Sequence, residues 1–177
     1  EIASCLVGSE MCIRDSIKLD KVKSQSIMTP RTVVATAPES MSLKEFYQDG
    51  KYKFYSRIPI YNDSEDYITG YVLRQTVLEK LAEDRFDMCL KDVARPILSF
   101  PENSPVSTVW EQMLEKKEHI SILIDEYGCF WGIVTMEDII ETALGFEIVD
   151  EKDSVTDMQK LARDKWQKKL AEAKIND

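Results

Sequence analysis

No run of apolar residues in this chain approaches the roughly 18 to 20 that a membrane-spanning helix requires, so no segment is expected to cross a bilayer by itself. Metal-ligand spacing is missing as well. Cys5, Cys12, Cys89 and Cys129 form no Cys-x-x-Cys pair, and none has a histidine partner at zinc spacing. Four cysteines in 177 residues also fall short of a disulfide scaffold, which fits a reducing, cytosolic compartment. The single histidine, His119, has no catalytic-triad motif around it, and neither a nucleophile elbow nor a Walker loop is present. Glu137 and Asp138 are adjacent in sequence and so point away from one another on a helix, which does not suit paired-carboxylate chemistry. No enzyme is expected. Positive charge is the last shortage: 23 Lys and Arg face 32 Asp and Glu, a net charge of −9. Such a field disfavours DNA and anionic membranes, so a small anion must rely on a local cluster of donors.

What the chain does have is a duplication. With 44% apolar and 31% charged residues it can bury one core, or two small ones that share an interface. Arg57-Ile-Pro-Ile-Tyr61 and Gly70-Tyr-Val-Leu-Arg-Gln-Thr76 are echoed by His119-Ile-Ser-Ile-Leu123 and Gly132-Ile-Val-Thr-Met-Glu-Asp138. Gly70 and Gly132, Val72 and Val134, and Thr76 and Asp138 all stand 62 positions apart. Two copies of one supersecondary unit therefore pack against each other. The second carries polar groups that the first has lost.

Each copy opens on a proline that forbids a helix interior, Pro30 or Pro96. Residues 32–36 read as a strand, residues 38–42 as a turn, and residues 43–50 as a helix. Residues 97–100, 101–104 and 106–117 repeat this order. Each helix is followed by an extended run, a polar turn at residues 62–66 or 125–128, a second run and another helix. Each unit thus reads β-α-β-β-α, an α/β (α+β) layered fold. The division is 20–86 for the first repeat and 87–148 for the second. Residues 1–19 form a flanking segment, of which 4–16 resemble a translated cloning adaptor, with a native linker or short amphipathic helix as the other reading. Residues 149–177 begin acidic and continue as an amphipathic C-terminal helix with Met158, Leu161, Ala162, Trp166 and Leu170 on one stripe, facing either its own domain or a missing partner.

A strand ending at Val134 that turns into a helix near Met136 presents free N–H groups and the positive end of a helix dipole to an anion. Thr135 adds a hydroxyl suited to a phosphate oxygen, and Asp138 can accept hydrogen bonds from both hydroxyls of a ribose. Gly132 and Ile133 let the strand pass close to a flat base. The same Thr135 and Asp138 also spell a helix N-cap box that satisfies only its own backbone. In the first copy Leu73 and Thr76 replace these groups, so a pocket there is expected to be weak or empty.

Gly132-Ile-Val-Thr-Met-Glu-Asp138 resembles the signature of cystathionine-β-synthase (CBS) domains, and the two units together resemble a tandem CBS pair with pseudo-two-fold symmetry. Met28-Thr-Pro-Arg31, Ser56-Arg-Ile-Pro-Ile60, Glu137-Asp-Ile-Ile-Glu141 and the acidic segment after Gly145 are more narrowly similar to the CorC/CNNM family, hemolysin-like proteins linked to magnesium and cobalt transport. The resemblance implies a regulatory module that binds an adenine nucleotide, ATP above all, together with Mg²⁺ near Glu137 or residues 147–153. It implies that Ile27, Thr29, Ser56 and Arg57 of the first repeat join His119, Ile120, Gly132, Ile133, Thr135 and Asp138 around the ligand. Arg57 is the candidate phosphate cation, a surface salt bridge being its other role; His119 is either a ligand contact or an edge-strand residue without function. A homodimer through the CBS repeats is implied, as is a missing transmembrane domain, which would put this otherwise soluble chain on the cytoplasmic side of a membrane. A nucleotide-free dimerisation module is the alternative.

Overall fold

The computed structural model describes residues 19–145; the adaptor-like segment, residues 147–153 and the expected C-terminal helix lie outside them. The described residues hold seven strands and four α-helices. In the first repeat they are β2 (Ala37–Pro38), α1 (Leu43–Gln48), β3 (Arg57–Tyr61), β4 (Ile68–Leu73) and α2 (Arg74–Ala82). In the second they are β5 (Leu98–Pro101), α3 (Val106–Lys116), β6 (Ile120–Ile124), β7 (Phe130–Thr135) and α4 (Met136–Leu144). An additional short strand, β1 (Thr29–Pro30), precedes both. The order is the expected β-α-β-β-α, twice.

Helix ends follow the local chemistry. Ser42 caps α1 through a reciprocal box with Glu45, and Lys117 ends α3 in the left-handed region at φ 57°. This turn lets the Glu118 N–H reach back to the Met113 carbonyl at 2.9 Å. Residues 32–36, expected as a strand, are not one. The Val33 N–H closes a turn onto the Pro30 carbonyl at 3.0 Å, and the Thr36 carbonyl is taken by the Tyr52 hydroxyl at 3.1 Å instead of by a neighbouring strand. Only Ala37 and Pro38 reach the ladder, parallel to Ile60 and Tyr61.

The sheets are ordered β2-β3-β4 and β1-β7-β6-β5. Placing β1 at the edge of the second sheet makes the repeats exchange their leading segments. Thr29 and Pro30 pair with Ile133 and Gly132 of β7; reciprocally, Arg95 pairs with Tyr71 of β4. The same reciprocity appears where Lys23 bridges Pro105 and Cys89 bridges Ser42. The Val106 N–H bonds the Val22 carbonyl and the Leu43 N–H bonds the Met88 carbonyl, each at 3.0 Å. These matched contacts are the pseudo-two-fold relation in atomic terms.

The cores are exchanged too. Leu19 and Met28 are buried with Phe100, Val106, Val109, Met113, Leu123, Val134 and Ile139 of the second repeat. Leu90, fully buried, joins Leu43, Phe46, Ile58, Ile60, Val72 and Val77 of the first. Each such side chain stabilises the partner repeat by about 1.5–3 kcal/mol.

The glycines of the duplication mark the crossings. A Cβ on Gly132 would lie 2.6 Å from the Thr29 carbonyl oxygen, and one on Gly70 would lie 2.5 Å from that of Arg95. The duplication itself contains one slip. Ile58 pairs with Val72 and Ser121 with Val134, so Ser56, not Arg57, is the counterpart of His119. The turn after β6 is one residue shorter than that after β3, and one residue moves every side chain to the opposite face.

Candidate functional site

Strand β7 delivers Thr135 to the start of α4, where it is the N-cap with extended backbone, φ −105° and ψ 166°. Its N–H and its hydroxyl both donate to Asp138 Oδ2 at 2.7 Å, and the Asp138 N–H returns to Thr135 Oγ1 at 3.3 Å. The hydroxyl expected to face a phosphate is therefore directed at the carboxylate within the protein. Asp138 Oδ1 takes no part in this box. The Met136 N–H donates to the His119 carbonyl at 3.1 Å, which leaves the Glu137 N–H as the first-turn donor used by neither contact.

The carboxylate of Asp138 is unusual. Burial pushes it up from the ordinary 3.8 to about 6, with the neighbouring Glu141 and Glu137 charges adding to the rise while the two Thr135 donors pull it down. A charged group held at this disadvantage, beside a helix N-terminus, is the arrangement expected of a group that waits for hydrogen-bond donors. Beneath it, the buried Ser121 hydroxyl donates to the Val134 carbonyl at 3.2 Å and ties β6 to β7 under the site.

Most of the sequence-derived residues converge here. Thr29 is paired with Ile133, and Ile120, which is buried, with Thr135. Ile27 packs against the second core. His119 is exposed immediately ahead of β6, and β6 lies between β7 and β5, so this histidine is not on an edge strand. Gly132 has a different reason for being glycine than the one read from sequence: the space above it is filled by the Thr29–Pro30 crossing and by Met28 Sδ, 2.9 Å from a would-be Cβ. Met28, the first residue of the Met28–Arg31 family motif, thus packs over Gly132.

Ser56 and Arg57 occupy the corresponding end of the first sheet. Arg57 pairs with Leu73, and the Ser56 carbonyl accepts from the Arg74 N–H at 3.0 Å. No hydrogen bond or ion pair among the described residues links either side chain to Thr135 or Asp138. The first copy also differs chemically, since Leu73 caps α2 without any side-chain bond. Among the described residues no three His, Cys, Asp or Glu side chains gather as a metal site, and no helix is long and apolar enough to cross a membrane.

Comparison with known proteins supplies the context. Residues 90–145 match the CBS domain family. The chain is 34% identical over 158 residues to a UPF0053 protein of Synechocystis, covering 89% of this chain and 45% of that protein. It is 30% identical over 144 residues to the magnesium and cobalt efflux protein CorC of Salmonella typhimurium, covering 80% of this chain and 49% of that one. It thus spans about half the length of these relatives. Among solved structures, the CBS domain of a bacterial CNNM/CorC family Mg²⁺ transporter superposes with a TM-score of 0.73 at 28% identity, covering 80% of this chain and 86% of that one. The same domain in complex with ATP gives 0.70 at 28% identity, covering 78% and 99%. The chain belongs to the CorC/CNNM family, of which it is a tandem CBS-domain pair.

Proposed function

We propose that this chain is the regulatory part of a larger membrane protein and binds one adenine nucleotide, ATP with Mg²⁺ foremost, at the Thr135–Asp138 end of its second repeat. The observation that carries the reading is the half-buried Asp138 carboxylate, raised in pKa and poised at the start of α4. A CNNM/CorC family CBS domain solved in complex with ATP, and a CBS-domain pair from Klebsiella pneumoniae solved with AMP, support the ligand class. Asp138 would accept the ribose hydroxyls, and Ile133 and Ile120 would border the base with Ile27 and Thr29. The Glu137 N–H and the Thr135 hydroxyl would meet the phosphates, the latter after exchanging its bond to Asp138. Arg57, whose side chain makes no hydrogen bond or ion pair among the described residues, would supply positive charge, with Ser56 and His119 at the rim. Mg²⁺ would offset the repulsion between a polyphosphate and an acidic chain, near Glu137 or residues 147–153.

Two such chains would associate through their repeats, on the cytoplasmic side of a membrane, and nucleotide would bias the dimer between two arrangements that a transmembrane domain reads as a change in magnesium or cobalt transport. One observation favours a nucleotide-free dimerisation module instead: Thr135 and Asp138 already satisfy each other. Thermal shift separates the two. A ligand at about 100 times its dissociation constant adds ~2.7 kcal/mol, or ~5–10 °C for a domain of this size. ATP, ADP and AMP at millimolar concentration, with and without Mg²⁺, are expected to raise the melting point in the wild type and in Thr76→Ala, but not in Asp138→Ala. No shift with any of them leaves the dimerisation module standing.

A further inference from the structure

Tyr71 of β4 holds, by ladder register, the place in the first repeat that Ile133 holds in the second: each pairs with the leading segment of the other repeat, Tyr71 with Arg95 and Ile133 with Thr29. The two positions are filled differently. Ile133 is half-buried, whereas Tyr71 is 2% exposed. Its hydroxyl does not stay within its own repeat. It donates to Glu118 Oε2 at 2.6 Å, and burial followed by that carboxylate raises the phenol pKa, so Tyr71 remains a donor at neutral pH.

Glu118 is placed where this bond matters. Its N–H is tied to the Met113 carbonyl at the end of α3, and the next residue, His119, uses its carbonyl to hold the Met136 N–H at the first turn of α4. Ile120 then pairs with Thr135. Residues 118–120 thus form a short wall fixed at three points: by α3, by α4 and by the first repeat through Tyr71. We infer that Tyr71 and Glu118 are positioning residues for the second repeat's ligand site, so that the copy without binding groups acts as a brace for the wall of the copy that has them. This inference rests on the nucleotide reading given above.

The test uses the full chain with Tyr71→Phe, Glu118→Ala and the double substitution. Tyr71→Phe keeps the buried ring and removes the hydroxyl, with its bond to Glu118 and its interaction with the Arg95 guanidinium. Two readouts are taken: ATP affinity by calorimetric titration, and the ring signals of His119, the single histidine in the sequence, by NMR in the nucleotide-free protein. Loss of one hydrogen bond to a carboxylate is expected to lower the melting point of the free protein by ~3–12 °C and, through the displaced wall, to weaken ATP binding ~3- to 10-fold. Glu118→Ala is expected to give a similar loss, and the double variant no more than either single one, since both remove the same bond. The His119 signals are expected to shift in all three, a change that mere loss of stability would not produce. Wild-type ATP affinity in Tyr71→Phe, unmoved His119 signals, or losses that multiply in the double variant overturn the inference. A flat titration already in the wild type refutes the nucleotide reading instead, and His119 still reports whether Tyr71 holds the wall.

Discussion

Asp138→Asn is expected to make the nucleotide-free protein more stable at pH 8 while impairing its ligand site. On folding, burial raises the carboxyl from the ordinary 3.8 to about 6. Between these values the folded chain binds more protons at this group than the unfolded chain, so the contribution of Asp138 to stability is fully present below pH 4 and is lost as the pH climbs through 6. Above pH 6 the ionised carboxylate therefore costs up to ~3 kcal/mol relative to a neutral group in the same place. An asparagine retains an oxygen to accept from the Thr135 N–H and hydroxyl, which the wild type bonds at 2.7 Å, and it carries no charge. Its advantage is an upper bound of ~6–12 °C in melting point for a chain of this length. Melting curves of both proteins from pH 4 to 8, without nucleotide, provide the assay. The difference should be largest above pH 6.5 and fade toward pH 4. A variant less stable than wild type at pH 8, or an offset that does not vary with pH, refutes the argument that burial of the charge dominates at this position.

The same carboxyl sets the acid limit of binding. If ribose hydroxyls donate to ionised Asp138, calorimetric titration should show nucleotide affinity falling below pH 6, toward tenfold per pH unit as a limit, and Asp138→Asn should lack this pH step. Gly132→Ala and Gly70→Ala should each lower stability by ~1–3 kcal/mol in denaturant titrations, since the added Cβ meets a backbone oxygen at 2.6 or 2.5 Å. Gly50→Ala, with nothing within 4 Å, should stay within ~0.5 kcal/mol. Ile139→Ala, which removes a fully buried side chain under α4, should cost ~2–5 kcal/mol in the same titrations.

The parts of the fold legible in the sequence are those written in local chemistry. The turn before α1 and the glycine-to-aspartate run into α4 carry their caps in the sequence, and both helices begin where those residues put them. Pairing of the leading segments was not legible, because a two-residue strand such as Thr29–Pro30 has no periodicity and its partner lies about a hundred residues away. The misjudged strand at residues 32–36 has the opposite cause: its β-branched residues have the right propensity, but the Thr36 carbonyl is captured by Tyr52. The slip between Arg57 and His119 was hidden because β3 and β6 are both apolar-rich, so a shift of one residue looks equally good on paper. At the site, Thr135 and Asp138 could be named from the motif. Whether they face a ligand or each other depends on burial and on their mutual bonds, and Tyr71 gave no sign of its role because its partner is 47 positions away.

The exchange of leading segments bears on how such a chain can change over generations. A break between the repeats would strip each half of buried side chains and of strand partners that the other half provides, Leu90 from one and Leu19 and Met28 from the other. Neither half is a self-sufficient unit of inheritance. A repeat that has lost its binding groups cannot be discarded, because its partner's architecture depends on it, and its own residues are left to acquire other duties.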